Sequence, residues 1–570
     1  MGMQKFKTWH RGGGRMRRFS ILIGVILCLS TAAFAFDATT FKGPKVEDLY
    51  LVIVRDPDAQ LLALEKDEIH ILSDIARPAD IERLSQNSSV LMSLAKGFHG
   101  FFFGLNLRTF PWNRLELRQA AWEAIPREKL VRDLFAGYAE PLSTFLPPAS
   151  PYFEDDVVKY SHSFEKAKER LGNAGWSWNN KGILMAPAGE GSTEKITLSP
   201  MKLLSPTAQV APTTAEIAER IAASLRGIGV PIEVEPMDFS AMIARLDERN
   251  FDSYVMAWQM TRDPDSLFAF YHSSMDVKGG YNIPGIAEPR LDKVLAELRW
   301  APDEASARQA ASESQKLLAE LVPVIPIYSR YFITAASSSW KGYVTTPYAT
   351  ADNTWSLFQL EPASGAMKPL RWALSDEPRS LNPLAAGSAY DWSVLGFIYD
   401  ALITVDPETL LDLPWIAESW TIDTADGGTR LTFHLKEGLI WQDGRPITAG
   451  DSAYTIQYLR EHQPPRYYDS VRDVASVETP DDLTLVVTMN STSYWHLHNI
   501  GGLPIFPRHV LEQVKDWRSW KPAETWLDKD KKLTQLMGSG PFIFREYRPG
   551  EYVHLTRNPA FWLLNSRWKR

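Results

Sequence analysis

The sequence predicts an α/β protein with more than one core, and three observations carry that expectation. Strand-length apolar runs alternate with helical stretches, as in Leu-Tyr-Leu-Val-Ile-Val at 49–54 followed by Ala-Gln-Leu-Leu-Ala-Leu-Glu-Lys at 59–66. The chain has 570 residues, enough to bury at least two cores. Hydrophobic residues make up 45% and charged residues 23%, a balance that excludes large-scale disorder. Aromatic residues are abundant, with 20 Trp, 20 Tyr and 26 Phe. Flat rings of this kind suit either core packing or a carbohydrate or peptide cleft.

Each element follows from local chemistry. The run at 49–54 is apolar on both faces, as expected of a strand covered on both sides. Residues 101–107 are apolar except Asn106 and read as another strand. From about residue 113 the pattern turns amphipathic and runs to Ile125-Pro126-Arg127-Glu128. Pro126 fits either a break or a first helical turn. Helices are expected at 164–171 and at 215–225, the latter stopped by Gly227 and Gly229. Residues 231–235 alternate like a half-buried strand. A helix at 303–321 opens on Asp303 and Glu304, with Glu304 spaced to pair with Arg308, and a strand at 324–328 follows. Residues 361–369, Glu-Pro-Ala-Ser-Gly-Ala-Met-Lys-Pro, read as a linker.

The N-terminus reads as an export leader. Arg15, Arg17 and Arg18 precede an apolar run from 21 to 35, and Ala33-Phe-Ala35 fits a cleavage site that would start the mature chain at Phe36. Met16 is an alternative start, and the rival reading of the run is a retained anchor. Cleavage removes Cys28, the one cysteine, and six cations, taking the formal charge from -8 to -14. Such a chain has no disulfide or thiolate chemistry, and its acidity disfavours nucleic acid. A periplasmic location is expected.

The order of the motifs is unusual. Residues 413–451 include Leu-Pro-Trp415-Ile-Ala-Glu-Ser-Trp420, Leu431-Thr-Phe-His-Leu-Lys-Glu-Gly438 and Trp441-Gln-Asp-Gly-Arg-Pro-Ile-Thr448. This block resembles the N-terminal signature of the family 5 extracellular solute-binding proteins, the peptide, nickel and opine receptors of ABC importers. Residues 44–360 resemble the later two-thirds of the same family, through Phe103-Gly104-Leu105-Asn106, Gly137-Tyr138-Ala139-Glu140-Pro141 and Tyr271-His-Ser-Ser274. Gly538-Ser-Gly540-Pro541-Phe542 and Asn558-Pro559-Ala560-Phe561-Trp562 match segments that in the family precede the stretch resembling residues 45–68 here. The resemblance implies a two-lobe periplasmic binding protein fold of the class II, large family 5 type with an extra subdomain, circularly permuted. The domain limits it implies are a signal peptide at 1–35, a first lobe from 37–112, 322–360 and 370–570, a second lobe from 113–321, and a joining linker at 361–369. The hinge is expected near Asn106 and Ile327.

The resemblance implies a small ligand between the lobes, peptide favoured, a permease partner in the inner membrane, a monomeric state and no cofactor or metal. The site candidates are Asn106, Trp258, Asp263, Asp265, Tyr281, Tyr390 and Trp392. In the family's peptide receptors an aspartate three residues after the tryptophan grips the ligand's ammonium. Here that position is Thr261, so Asp263 or Asp265 would have to supply the charge, unless both serve the start of the helix at 266–271. His272 and Asn282 read as turn residues in preference to cleft wall when taken singly. Trp415 and Trp441 read as core. His496 and His498 read as a strand pair with metal-ligand character but no third ligand. No nucleophile–base constellation appears, which argues against an enzyme. Two rival readings are a sensory or chaperone-like receptor on the same fold, and a chimera of two truncated genes that does not fold as one unit.

Overall fold

The computed structural model describes residues 40–564 apart from 190, 191, 426, 528 and 531; the leader expected at 1–35 lies outside the described residues. Two principal sheets organise this part of the chain. Across the first, the strands run Phe542–Arg548, Tyr552–Arg557, Asp48–Ile53, Leu370–Leu374, Ile71–Leu72, Phe332–Ser337 and Val90–Ala95. Across the second they run Ile232–Met237, Met201–Pro206, Ser253–Gln259, His99–Leu105, Val324–Arg330 and Ala139–Pro141.

The first sheet interleaves the two ends of the described chain. Strand Asp48–Ile53 pairs in parallel with Leu370–Leu374, Leu49 facing Leu370, and antiparallel with Tyr552–Arg557, Leu49 facing Leu555. Leu49, Leu51 and Ile53 on one face are buried, whereas Tyr50 and Val52 on the other are half-buried, so the strand is closed off on one side only and not on both as expected. Beside this strand Arg557 donates its backbone N–H to Glu47 O at 2.8 Å, and His554 reaches Asp48 at 2.8 Å. Phe358 makes an edge contact with Phe41 at 6.5 Å and stacks on Phe561 at 5.5 Å. An early and a late segment thus share one aromatic cluster, which Trp355, Trp415 and Trp562 complete. Two halves that folded separately would not share a strand register, so the chimera expectation fails here.

Residues 361–369 join two first-lobe elements. Glu361–Pro362 pairs with Trp340–Lys341, and Lys368 Nζ binds Asp67 at 3.0 Å and Ser339 Oγ at 2.9 Å before the chain enters Leu370–Leu374. A third sheet, in the order Ala417–Ala425, Gly428–Leu435, Thr484–Met489, Val474–Asp481, packs with helix Ala449–His462 as a subdomain of the first lobe. Trp415 and Trp441 are buried, as read from the sequence. Helix Ala449–His462 opens on a capping box between Thr448 and Asp451.

Strand His99–Leu105 explains the second lobe. Phe101, Phe103 and Leu105 enter one core with Trp112, Trp122 and Leu203, while Phe102 enters another with Phe145, Tyr271 and Leu318. Gly104 lies against the Tyr254 ring, where a Cβ would come within 2.1 Å. Expected helices appear as Pro57–Glu65, Pro212–Gly227 and Glu304–Leu321, the last capped by Asp303 and carrying a Glu304–Arg308 pair at 2.7 Å.

The chain crosses between the sheets at residues 96–98 and at Tyr331. The second sheet therefore extends beyond the limits expected at 113 and 321, and the crossings lie several residues outside Asn106 and Ile327. The reason is the ladder: Gln259 faces His99 and Tyr328 faces Phe101, so both crossing strands complete their hydrogen bonds inside the second sheet.

Candidate functional site

Strand direction locates the crevice. In the first sheet Asp48–Ile53, Leu370–Leu374, Ile71–Leu72 and Val90–Ala95 run in one direction and end towards the crossing. In the second, Met201–Pro206, Ile232–Met237 and Ser253–Gln259 are parallel to one another, and Ser253–Gln259 ends beside His99, where the chain has just crossed. Both lobes therefore turn the carboxyl ends of parallel strands to one interlobe crevice, the place where open α/β sheets bind ligands. A separate hollow of about 510 Å³ is lined by residues such as Arg379, Trp520 and Tyr547. All its walls come from the first lobe, so it is not a two-lobe site.

On the second-lobe side Trp258 is half-buried at the end of its strand. Its ring meets Phe270 edge-on at 5.0 Å and Tyr281 at 5.9 Å, and Phe270 lies 5.5 Å from Tyr281. Tyr281 is 50% exposed, so this aromatic wall keeps an open surface. Asn282 is buried and spends its amide on His272 O, Ile286 O and two backbone N–H groups, and His272 bonds Ser274. Both behave as turn residues.

On the first-lobe side the rim is charged. Arg55 follows strand Asp48–Ile53 and binds Asp376 at 3.1 Å and Glu377 at 2.8 Å, just beyond Leu374. Tyr547 and the Gly550 N–H also bind Glu377. Tyr390 and Trp392 lie on helix Ala389–Leu395, both half-buried. Asp391 between them accepts four backbone N–H bonds, from Arg379, Ser380, Gly387 and Ser388. Burial opposes its charge, but these donors hold its carboxyl below the usual range. That carboxylate fixes the loop carrying Tyr390 and Trp392. The Arg466 guanidinium covers the Trp392 ring at 4.4 Å.

Three candidates are engaged within the protein. Asn106 is 1% exposed; its Nδ2 donates to Phe251 O at 2.8 Å, and its Oδ1 accepts from Arg108. The reading of Asn106 as a donor to a ligand is corrected accordingly: it closes the turn after strand His99–Leu105. Asp265 pairs with Arg299 at 3.0 Å, and burial pushes its carboxyl up to about 6. Asp263 lies 2.9 Å from His498 Nδ1 and 3.3 Å from Arg262. Neither acid is left unpaired for a ligand's ammonium. Asp265 holds the helix N-cap position without making a side-chain capping bond.

Sequence reasoning missed Arg262 and Asp412, and read His498 only as half of a strand pair. His498 is on helix His496–Gly501, not on a strand, and its imidazole is 8% exposed. Its Nε2 hydrogen-bonds Asp412 at 2.8 Å, while its Nδ1 meets Asp263 as an ion-pair contact, not an aligned hydrogen bond. Burial opposes its charge, yet the two carboxylates raise its pKa to about 9. Arg262 binds Asp412 at 2.5 Å and Leu410 O at 2.8 Å. The Arg-Asp-Pro-Asp repeat at 55–58 and 262–265 was one available signal. Both copies follow the carboxyl end of a strand and lead into a helix, the first supplying its N-cap Asp56 and opening residues Pro57 and Asp58, and both arginines bind first-lobe carboxylates.

The family model for bacterial extracellular solute-binding proteins, family 5 Middle, matches residues 40–278 and 413–569. The dipeptide-binding protein of Escherichia coli is 23% identical over 314 residues, covering 55% of each chain. A probable ABC transporter periplasmic-binding protein, SapA, of the same species is 26% identical over 271 residues, covering 47% of this chain and 46% of that one. The chain thus spans about half the length of the curated relatives it matches. Among solved structures, the oligopeptide-binding protein AppA from Bacillus subtilis, in complex with a nonapeptide, has a TM-score of 0.44 and 21% identity, covering 54% of this chain and 59% of that one. The family match takes in most of the residues that build both lobes, and the chain belongs to the bacterial extracellular solute-binding proteins, family 5.

Proposed function

We propose that this protein is a periplasmic receptor that captures a small ligand, a peptide by preference, between its two lobes and delivers it to an ABC permease in the inner membrane. One observation carries the reading: both sheets direct the carboxyl ends of their parallel strands into one crevice, where the aromatic wall of Trp258, Phe270 and Tyr281 stays accessible. Family membership and the similarity to dipeptide- and oligopeptide-binding proteins support it. The motif order, with strand Asp48–Ile53 seated between two strands that come more than three hundred residues later in the chain, supports a circular permutation that leaves both hinge crossings intact.

Binding would draw on contacts that exist only when the lobes close, so a ligand shifts the open–closed population. Aromatic stacking and backbone hydrogen bonds would dominate recognition, because Asp263 and Asp265 already have cationic partners. The test is native mass spectrometry of the exported protein, followed by calorimetry with di- to pentapeptides. A co-purified peptide, or saturable binding that Trp258→Ala weakens at least about tenfold, is the expected result. No captured molecule and no heat with any peptide would overturn the reading.

A further inference from the structure

The segment of residues 490–501 of the first lobe, which ends in helix His496–Gly501, does more than flank the crevice. Tyr494 donates its backbone N–H to Ala301 O at 2.7 Å, Ser493 Oγ bonds Arg299 O at 2.8 Å, and the Trp495 indole bonds Leu298 O at 2.7 Å. Trp495 is 2% exposed and belongs to the second lobe's core, against Tyr152, Leu295 and Leu298. Beside it, Arg262 and Asp263 of the second lobe interlock with Asp412 and His498 of the first, with side-chain exposures of 15%, 20%, 10% and 8%. Two cations and two anions alternate, so the group is neutral and each buried charge has an opposite neighbour. These contacts are separate from the hinge crossings at 96–98 and Tyr331.

We propose that Arg262, Asp263, Asp412 and His498, together with the seated Trp495, form a clasp that holds the lobes shut, with His498 a positioning residue of the closed state. The proposal rests on the two-lobe capture described above. Opening must withdraw Trp495 from an apolar socket and separate Asp263 from His498, whereas His498 and Asp412 remain together on the first lobe. Closure therefore raises the proton affinity of His498 by what Asp263 adds. The charged or titratable groups around it are Arg262, Asp263 and Asp265 on the second-lobe loop, Asp412 on its own lobe, Tyr494 on its own segment, Tyr152 across the interface, and Arg299 behind Asp265.

The sign follows from the raised value of about 9 in the closed state. The clasp is complete at pH values below the open-state pKa of His498 and is lost as pH rises through about 9. If opening returned His498 to its ordinary value, the closing equilibrium would change about 300-fold. Because Asp412 stays bound on opening, the expected change is closer to tenfold.

The experiment places spin labels at Glu82 and Lys293, exposed positions on opposite lobes, in the full chain with Cys28→Ser, and measures their separation from pH 6 to 10 without added peptide. A short separation at pH 7 that lengthens above about pH 9 is expected for the parent protein. His498→Gln is expected to lower the closed-to-open ratio at pH 7 roughly tenfold and to flatten the pH course. His509→Gln is the control, since His509 makes a similar pair with Asp443 at 2.8 Å within the first lobe alone, and it should match the parent. Asp263→Asn, judged folded by an unchanged unfolding midpoint, should behave like His498→Gln. Identical separations and pH courses in all four proteins would overturn the clasp. Peptide calorimetry on the same samples separates this failure from failure of the receptor reading, because peptide binding with no clasp effect leaves the receptor standing.

Discussion

Replacing Phe561 with alanine should unpick the junction on which the first lobe depends. Its ring is 1% exposed, stacks on Phe358 at 5.5 Å, and lies 6.3 Å from Trp415 and 6.1 Å from Trp562. Phe358 in turn touches Phe41. The substitution leaves a void between segments from opposite ends of the described chain, and the rings around it are held by several elements that resist collapse. Phe→Ala in a packed core costs about 3–5 kcal/mol. For 570 residues the unfolding entropy is about 1.2 kcal/mol/K, so the expected loss in melting temperature is roughly 3–4 °C if the chain unfolds as one unit. Differential scanning calorimetry, paired with denaturant titration, reads both quantities. Val210→Ala, at a site 73% exposed, serves as the comparison and should cost less than about 0.5 kcal/mol. A Phe561→Ala protein as stable as Val210→Ala would refute the claim that the two chain segments share a core.

Arg118 is buried and donates to Leu321 O at 3.0 and 2.8 Å and to Trp112 O at 2.8 Å, tying the end of helix Glu304–Leu321 to the second-lobe core. Arg118→Met should cost about 3 kcal/mol in a denaturant titration, since it strips charge-assisted bonds from buried carbonyls. His70 is 3% exposed, and burial lowers its pKa to about 4. Its contribution is present above the unfolded value near 6.5 and is lost as pH falls towards 4, by up to about 3 kcal/mol. His70→Asn should flatten that acid limb in stability measured against pH. Trp258→Ala should weaken peptide affinity at least about tenfold by calorimetry, with little change in stability, because the ring is only half-buried.

Much of the architecture was legible because it is written in local patterns. The apolar run at 49–54 announced a strand, though only its face of Leu49, Leu51 and Ile53 is buried, and Asp303-Glu304 announced a helix start that the structure places at Glu304. The motif order brought the far end of the chain to the strand opening at Leu49, which faces Leu555; its pairing with Leu370 was not foreseen. Partners across space were not legible. Asn106 looked like a free donor because nothing nearby in sequence reveals Phe251 O as the acceptor of its amide. Asp263 looked available for the same reason, since His498 is more than two hundred residues away in the chain. The spacing of His496 and His498 fitted a strand, yet the segment is helical, with His496 turned to Ser491 and His498 to Asp412. The hinge limits slipped because apolar runs mark strands but do not say which sheet they join.

Small-angle scattering of the purified protein at pH 10, where the clasp is released, with and without a peptide at saturation, tests most directly whether two lobes meet over a shared crevice. A smaller radius of gyration in the bound state, restored when the peptide is dialysed away, is the predicted result. An unchanged radius with calorimetrically proven occupancy would contradict it.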